Sequence, residues 1–106
     1  MSGAAFNPEK MYTYLRGYAS GAGMKETLKA LAFAREKHKD QFRKSGEPYI
    51  VHPLTMACNA VSMGIKEDAV IATILLHDVC EDCGVNPNEL PGSDTVKHAV
   101  DLMTFG

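Results

Sequence analysis

The apolar positions of this chain recur at helical spacing in about five stretches, and no run alternates convincingly over strand length. Asn7-Pro8 predicts a helix start, with Asn able to cap and Pro tolerated at the first helical position. Met11, Tyr14, Leu15 and Tyr18 follow at helical spacing. Gly17 weakens the end of this helix and Ser20-Gly21-Ala22-Gly23 breaks it, so the segment reads either as a docking helix or as a partly mobile arm. A second helix is predicted over 24–38, with Leu28, Leu31, Ala32 and Arg35 on one side and Ala30, Phe33 and Ala34 beside them. A third runs from Leu54 to about Met63, with Leu54, Ala57 and Val61 on one side and Met56, Ala60 and Met63 near it. Gly64 ends it. Residues 69–76, Ala-Val-Ile-Ala-Thr-Ile-Leu-Leu, predict a buried helix that begins at acidic Glu67-Asp68 and stops at Gly84. A turn over 86–90 and the breaker Pro91-Gly92 precede a last helix over 95–103. Ser93-Asp94 caps it, and Val96, Ala99, Val100 and Met103 are expected to face inward. The chain reads as an all-α bundle.

Polar residues interrupt this pattern in two places. The apolar run closes on His77-Asp78-Val79-Cys80-Glu81-Asp82. Ionisable side chains at the end of a buried segment are costly unless something pairs with them. If the helix continues through Asp82, residues three and four apart share a face, so His77 neighbours Glu81, and Asp78 neighbours Glu81 and Asp82. An imidazole and carboxylates on one stripe are what a divalent metal with an activated water needs. The bland alternative is a charged helix terminus.

The other interruption is the loop Gln41-Phe42-Arg43-Lys44-Ser45-Gly46-Glu47-Pro48-Tyr49-Ile50-Val51-His52-Pro53. Arg43 and Lys44 suit phosphate binding or base stacking, or form a solvated basic pair. His52 precedes Pro53, which predicts extended backbone at His52 and a helix opening after it. His38 reads as a ligand or as a surface residue placed favourably at a helix C-terminus.

Composition narrows the class. At 106 residues the chain is one domain or part of one. A net charge of −2 gives no basic field for nucleic acid or for an anionic membrane. No apolar stretch reaches membrane-span length, and the first residues lack the charged and apolar regions of a secretory signal. Cys58, Cys80 and Cys83 are an odd set and suggest free thiols in a reducing, cytoplasmic setting. Cys80-Glu81-Asp82-Cys83 matches C-x-x-C, but no second pair completes a zinc site. It also sits at a helix C-terminus, where thiolates are not stabilised, so it reads as structural.

Taken in order, the two polar stretches resemble a known family. Arg43 to Pro53 is similar to the R-K-S-G-E-P-Y-x-x-H-P signature of the alarmone hydrolases, and Ala72 to Asp82 to their A-x-L-L-H-D-x-x-E-D signature. These are HD-type phosphohydrolases of the Rel/Spo kind. The resemblance covers roughly residues 24–106, leaving 1–23 as an N-terminal helix or arm. It implies an all-α HD bundle, a divalent cation (generally manganese) and guanosine tetraphosphate or pentaphosphate as substrate. The 3′-pyrophosphate would be removed to leave GDP or GTP. By the resemblance, His52, His77 and Asp78 are metal ligands, Glu81 and Asp82 the catalytic acidic pair, and Arg43, Lys44 and Ser45 the substrate-binding side.

Three departures accompany the match. The family's fourth ligand, an Asp, and a companion Asn come from a helix beyond the family's V-D-x-x-T stretch, which Asp101-Leu102-Met103-Thr104 resembles. Asp40 stands where Gly is usual, and Cys80 where an aliphatic residue is common. The chain is therefore expected to be an N-terminal portion of the domain with C-terminal helices missing. An exposed core side would then favour a homo-oligomer. Two other readings stay open: an HD phosphohydrolase acting on another nucleotide, and a degenerate domain that binds nucleotide or a partner without turnover.

Overall fold

The computed structural model describes residues 8–39, 41–42 and 44–105, and for Glu81, Asp82, Pro87, Thr104 and Phe105 the backbone only. Five α-helices follow in order: α1 Pro8–Ala22, α2 Lys25–His38, α3 Val51–Ser62, α4 Asp68–Cys83 and α5 Asp94–Phe105. A 3₁₀ turn, Pro87–Glu89, precedes α5. Among the described residues there is no strand, only an isolated antiparallel bridge between Phe42 and Pro48. The all-α expectation holds.

The apolar run over 69–76 places α4 at the centre, packed against α2, α3 and α5. Ile71, Ala72, Leu75, Leu76 and Val79 are fully buried on it. Leu31 from α2, Leu54 from α3, and Val96 and Val100 from α5 close around them. Gly84, at φ 69° in the left-handed region, ends α4 as the apolar pattern predicts.

The structure corrects several readings. Helix α1 runs past Gly17 to Ala22 and stops at Gly23, φ 71°, inside the Ser20–Gly23 break read from the sequence. Burial of Met11, Leu15 and Ala19 against α2 and α3 outweighs the roughly 1 kcal/mol that each interior glycine costs. Arg35 adds a cation–π contact 4.7 Å over the Tyr12 ring. α1 is therefore docked. The capping role read for Asn7 lies outside the described residues. The inward face of α2 is Thr27, Ala30, Leu31, Ala34 and His38, while Ala32 and Arg35 are exposed. Met63 and Met103, expected near the core, are 74% and 51% exposed, and Met56 also faces outward. In α3 the Leu54, Ala57 and Val61 stripe already fills the contact with α4.

The N-termini of α2, α4 and α5 are joined by side chains distant in sequence. The carboxylate of Asp68, the first residue of α4, accepts from the Glu26 and Thr27 backbone N–H groups at 3.0 and 2.7 Å. It also accepts from the Thr27 hydroxyl at 2.7 Å. A helix start leaves such N–H groups without intrahelical partners, and here a neighbouring helix supplies the cap. Glu26 in turn accepts from the Ser93 backbone N–H at 2.7 Å, and the Ser93 hydroxyl accepts from Val96 N–H in the first turn of α5.

Asp68→Ala is therefore expected to lower unfolding stability by about 1–2 kcal/mol, read from the denaturant midpoint at unchanged slope. A midpoint equal to wild type would show that the cap contributes nothing.

Candidate functional site

The site is assembled where the first turn of α3 meets the last turns of α4. Pro53 carries no N–H, and as the third helical residue it would have found no intrahelical acceptor. The helix therefore begins at Val51, before the proline. His52 is helical, not extended as the residue before proline is expected to be. Its backbone N–H donates to the Tyr49 carbonyl at 3.2 Å. This places His52 Nε2 3.4 Å from Asp78 Oδ2.

On α4 the helix does continue through Asp82, as the spacing argument required. His77 Nε2 lies 3.8 Å from Asp78 Oδ1, so the two histidines approach different oxygens of one carboxylate. Asp78 is only 6% exposed, and its Oδ2 is buried without a hydrogen-bond partner. Leaving such an oxygen without a hydrogen bond costs about 1–3 kcal/mol, more when the group is charged, and the His52 imidazole at 3.4 Å offsets that cost as an ion-pair partner only when protonated. Among the described side chains, no group of three or more His, Cys, Asp or Glu residues is placed to hold a metal ion. His52, His77 and Asp78 are brought together as neighbours rather than as a closed ligand set.

The remaining predicted residues are placed unevenly. Arg43 lies outside the described residues, as do the side chains of Glu81 and Asp82, whose backbones belong to the last turn of α4. Lys44 and Ser45 line an open cleft of about 540 Å³ together with Phe42 and Tyr49. A second cleft, of about 770 Å³, lies between the end of α4 and α5 and is lined by Cys80, Asn88, Asp94, Lys97, His98 and Asp101, among others. None of the predicted site residues described here lines it. The first cleft is the one that continues by chain into the histidine pair, because Tyr49 on its wall accepts the His52 backbone bond.

The sequence reading missed the two aromatic members of that cleft, Phe42 and Tyr49. The available signal was an aromatic residue beside a basic pair, Phe42-Arg43-Lys44, in a turn-rich loop. His38, read from the sequence as a ligand or a surface residue, is 1% exposed and so is not a surface residue. Its ring stacks on Tyr49 at 5.1 Å between centroids and 21° between planes.

The chain matches the sequence profile of the HD domain over residues 30–100 and belongs to that family. The hydrolase resemblance read from the two signatures agrees with the relatives it matches. It is 45% identical over 65 residues to a guanosine-3′,5′-bis(diphosphate) 3′-pyrophosphohydrolase of Aquifex aeolicus, covering 61% of this chain and 9% of the relative. It is 38% identical over 74 residues to the bifunctional (p)ppGpp synthase/hydrolase SpoT of Escherichia coli, 70% of this chain and 10% of the relative. A GTP pyrophosphokinase of Myxococcus xanthus is 38% identical over 101 residues, 92% of this chain and 13% of the relative. The chain thus spans about a tenth of the length of these curated relatives. No solved structure matches it. Among the described residues no helix is long and apolar enough to cross a membrane.

The cysteines behave as packing residues. Burial pushes the Cys58 and Cys80 thiols above the ordinary cysteine range. For Cys80, the neighbouring Asp101 and Cys83 push in the same direction. A raised thiol pKa means little thiolate near neutrality, which argues against a redox pair. With iodoacetamide, Cys58 and Cys80 are expected to react only as pH climbs past the ordinary thiol value. Rapid labelling of Cys80 at pH 8, mapped by mass spectrometry, would contradict this.

Proposed function

We propose that this chain carries the hydrolase site of a metal-dependent phosphohydrolase that removes the 3′-pyrophosphate from guanosine tetraphosphate or pentaphosphate, leaving GDP or GTP. The observation that carries the reading is the buried Asp78 carboxylate, one oxygen of which has no hydrogen-bond partner, flanked by two histidines from separate helices. The names of the relatives point to the same substrate.

In this reading His52, His77 and Asp78 hold a divalent cation. Two imidazoles and a carboxylate are a borderline donor set that suits manganese or a similar ion. His52, 44% exposed at its side chain, has the rotamer freedom to close on a cation beside Asp78. Lewis acidity is what such a cation supplies when bound, polarising a phosphoryl oxygen and lowering the pKa of water. The rest of the work falls to the chain. Glu81, a helical turn beyond His77, accepts the proton of the attacking water, and Asp82 is the second member of the acidic pair. Lys44 offsets charge on the phosphates, and the Ser45 hydroxyl donates to a phosphate oxygen. Arg43 stacks its planar guanidinium on the purine. The Tyr49 and Phe42 side of the cleft gives the base an apolar wall. The setting proposed is the cytoplasm, where nucleotide substrate and reduced thiols coexist.

The test is direct. The chain is incubated with guanosine tetraphosphate and Mn²⁺, and GDP and pyrophosphate are followed by chromatography. Turnover is expected, falling at least about a hundredfold in Asp78→Ala and in Glu81→Ala. Binding without turnover would replace the hydrolase reading with a nucleotide-binding module. Turnover unchanged in both variants would overturn the assignment of the site.

A further inference from the structure

The strongest feature that the proposed chemistry does not use is a buried polar cluster joining the ends of α2 and α4 to the loop between α2 and α3. His38, the last residue of α2, is 1% exposed. Its Nδ1 lies 2.9 Å from Gln41 Oε1. An amide oxygen only accepts, so Nδ1 carries the proton. The Gln41 backbone oxygen accepts from Tyr49 N–H at 2.9 Å, and Phe42 and Pro48 pair across the same loop. The loop is thereby pinched at its base, with the Tyr49 ring lying on the His38 ring. From the other side, the Cys83 thiol, at the last residue of α4, lies 3.6 Å from both the Lys37 carbonyl oxygen and Gln41 Oε1. It is 3.7 Å from His38 Nδ1.

Each contact leads toward the candidate site. Tyr49 is a wall of the cleft that Lys44 and Ser45 line. Its carbonyl accepts the His52 N–H, which fixes the first turn of α3 and therefore where His52 meets Asp78. Cys83 directly follows Glu81-Asp82 on α4. One imidazole thus sits at the junction of three chain segments whose side chains the proposed reaction needs together. A buried ring that only filled space would be better served by an apolar residue, because the His38 Nε2 is buried without a hydrogen-bond partner and such a group carries a cost. The Nδ1 bond to Gln41 and the stack on Tyr49 are what the imidazole offers in return.

We propose that His38 is a positioning residue. Through Gln41 and Tyr49 it sets the wall of the nucleotide cleft and the placement of His52, and through Cys83 it ties that wall to the last turn of α4. It touches neither substrate nor the reacting atoms. The substrate part of this inference rests on the function proposed above; the latch itself rests on contacts within the chain.

The two parts are tested separately in the full chain. Amide hydrogen exchange by NMR, without ligand, reads the latch at the Tyr49 and His52 N–H groups. Guanosine tetraphosphate titration, followed by calorimetry, reads the cleft. His38→Phe keeps a ring for the stack and loses the Nδ1 donor. Gln41→Met removes the acceptor at similar volume, outside the core, and serves should the His38 variant fail to fold. Both are expected to speed exchange at Tyr49 and His52 with the α4 amides unchanged. Both are expected to weaken nucleotide binding about tenfold, the scale of losing an outer positioning contact. Gln41→Glu keeps an acceptor and is expected to restore Tyr49 protection. Unchanged exchange at Tyr49 and His52 in Gln41→Met would overturn the latch. Faster exchange with unchanged nucleotide affinity would overturn its positioning role. A wild-type chain that binds no guanosine tetraphosphate would sink the substrate reading, and the exchange measurement would still decide the latch.

Discussion

The rest of the structure depends on how α2 and α4 are held in register, and Asp68 holds them. One carboxylate starts α4 and caps α2, using both its oxygens on backbone N–H groups 41 and 42 residues away. The bond fixes the relative rise of the two helices at one end of the bundle. At the other end the same two helices finish in His38 and Cys83, which lie in contact. The central helix is therefore pinned at both ends, and its burial between α2, α3 and α5 leaves little freedom to slide or turn. A side chain on its last turns is placed by the whole bundle rather than by its own neighbours.

That rigidity explains how a buried carboxylate is tolerated. Asp78 occupies a position on α4 that packing would assign to an apolar residue, and Leu76 and Val79 in the same turn are fully buried. Its Oδ2 has no hydrogen-bond partner, a cost that a stable scaffold can carry at one place. His52 arrives from a helix whose start is set by a proline, so its backbone is fixed early while its side chain stays exposed. Asp78 is buried on the helix while the His52 side chain is 44% exposed, and in the proposed function the pair admits a cation from solvent.

How much of this was legible in the sequence follows from the range of the interactions. The buried helix, its stop at Gly84 and the stripe from His77 to Asp82 depend on local spacing, and the helix forms as the spacing requires. The signature from Arg43 to Pro53 pointed to the right family because its order of turn formers, cations and histidine is unusual. The helical state of His52 was not legible, since the local rule for residues before proline points the other way and the turn over 48–52 decides it. Nor was the docking of α1, which rests on tertiary burial of Leu15 and Ala19. The burial of His38 and the cap by Asp68 bridge tens of residues, and no periodicity in one segment announces a partner in another.

The proposed function rests on a divalent cation site formed by His52, His77 and Asp78 around the buried Asp78 carboxylate. Titration of the chain with Mn²⁺, followed by the loss of the free-ion signal in electron paramagnetic resonance, tests it most directly. One site per chain is expected, abolished by Asp78→Asn and weakened by His52→Ala, with the helical fold of both variants intact by circular dichroism. Stoichiometric binding that survives Asp78→Asn would contradict it.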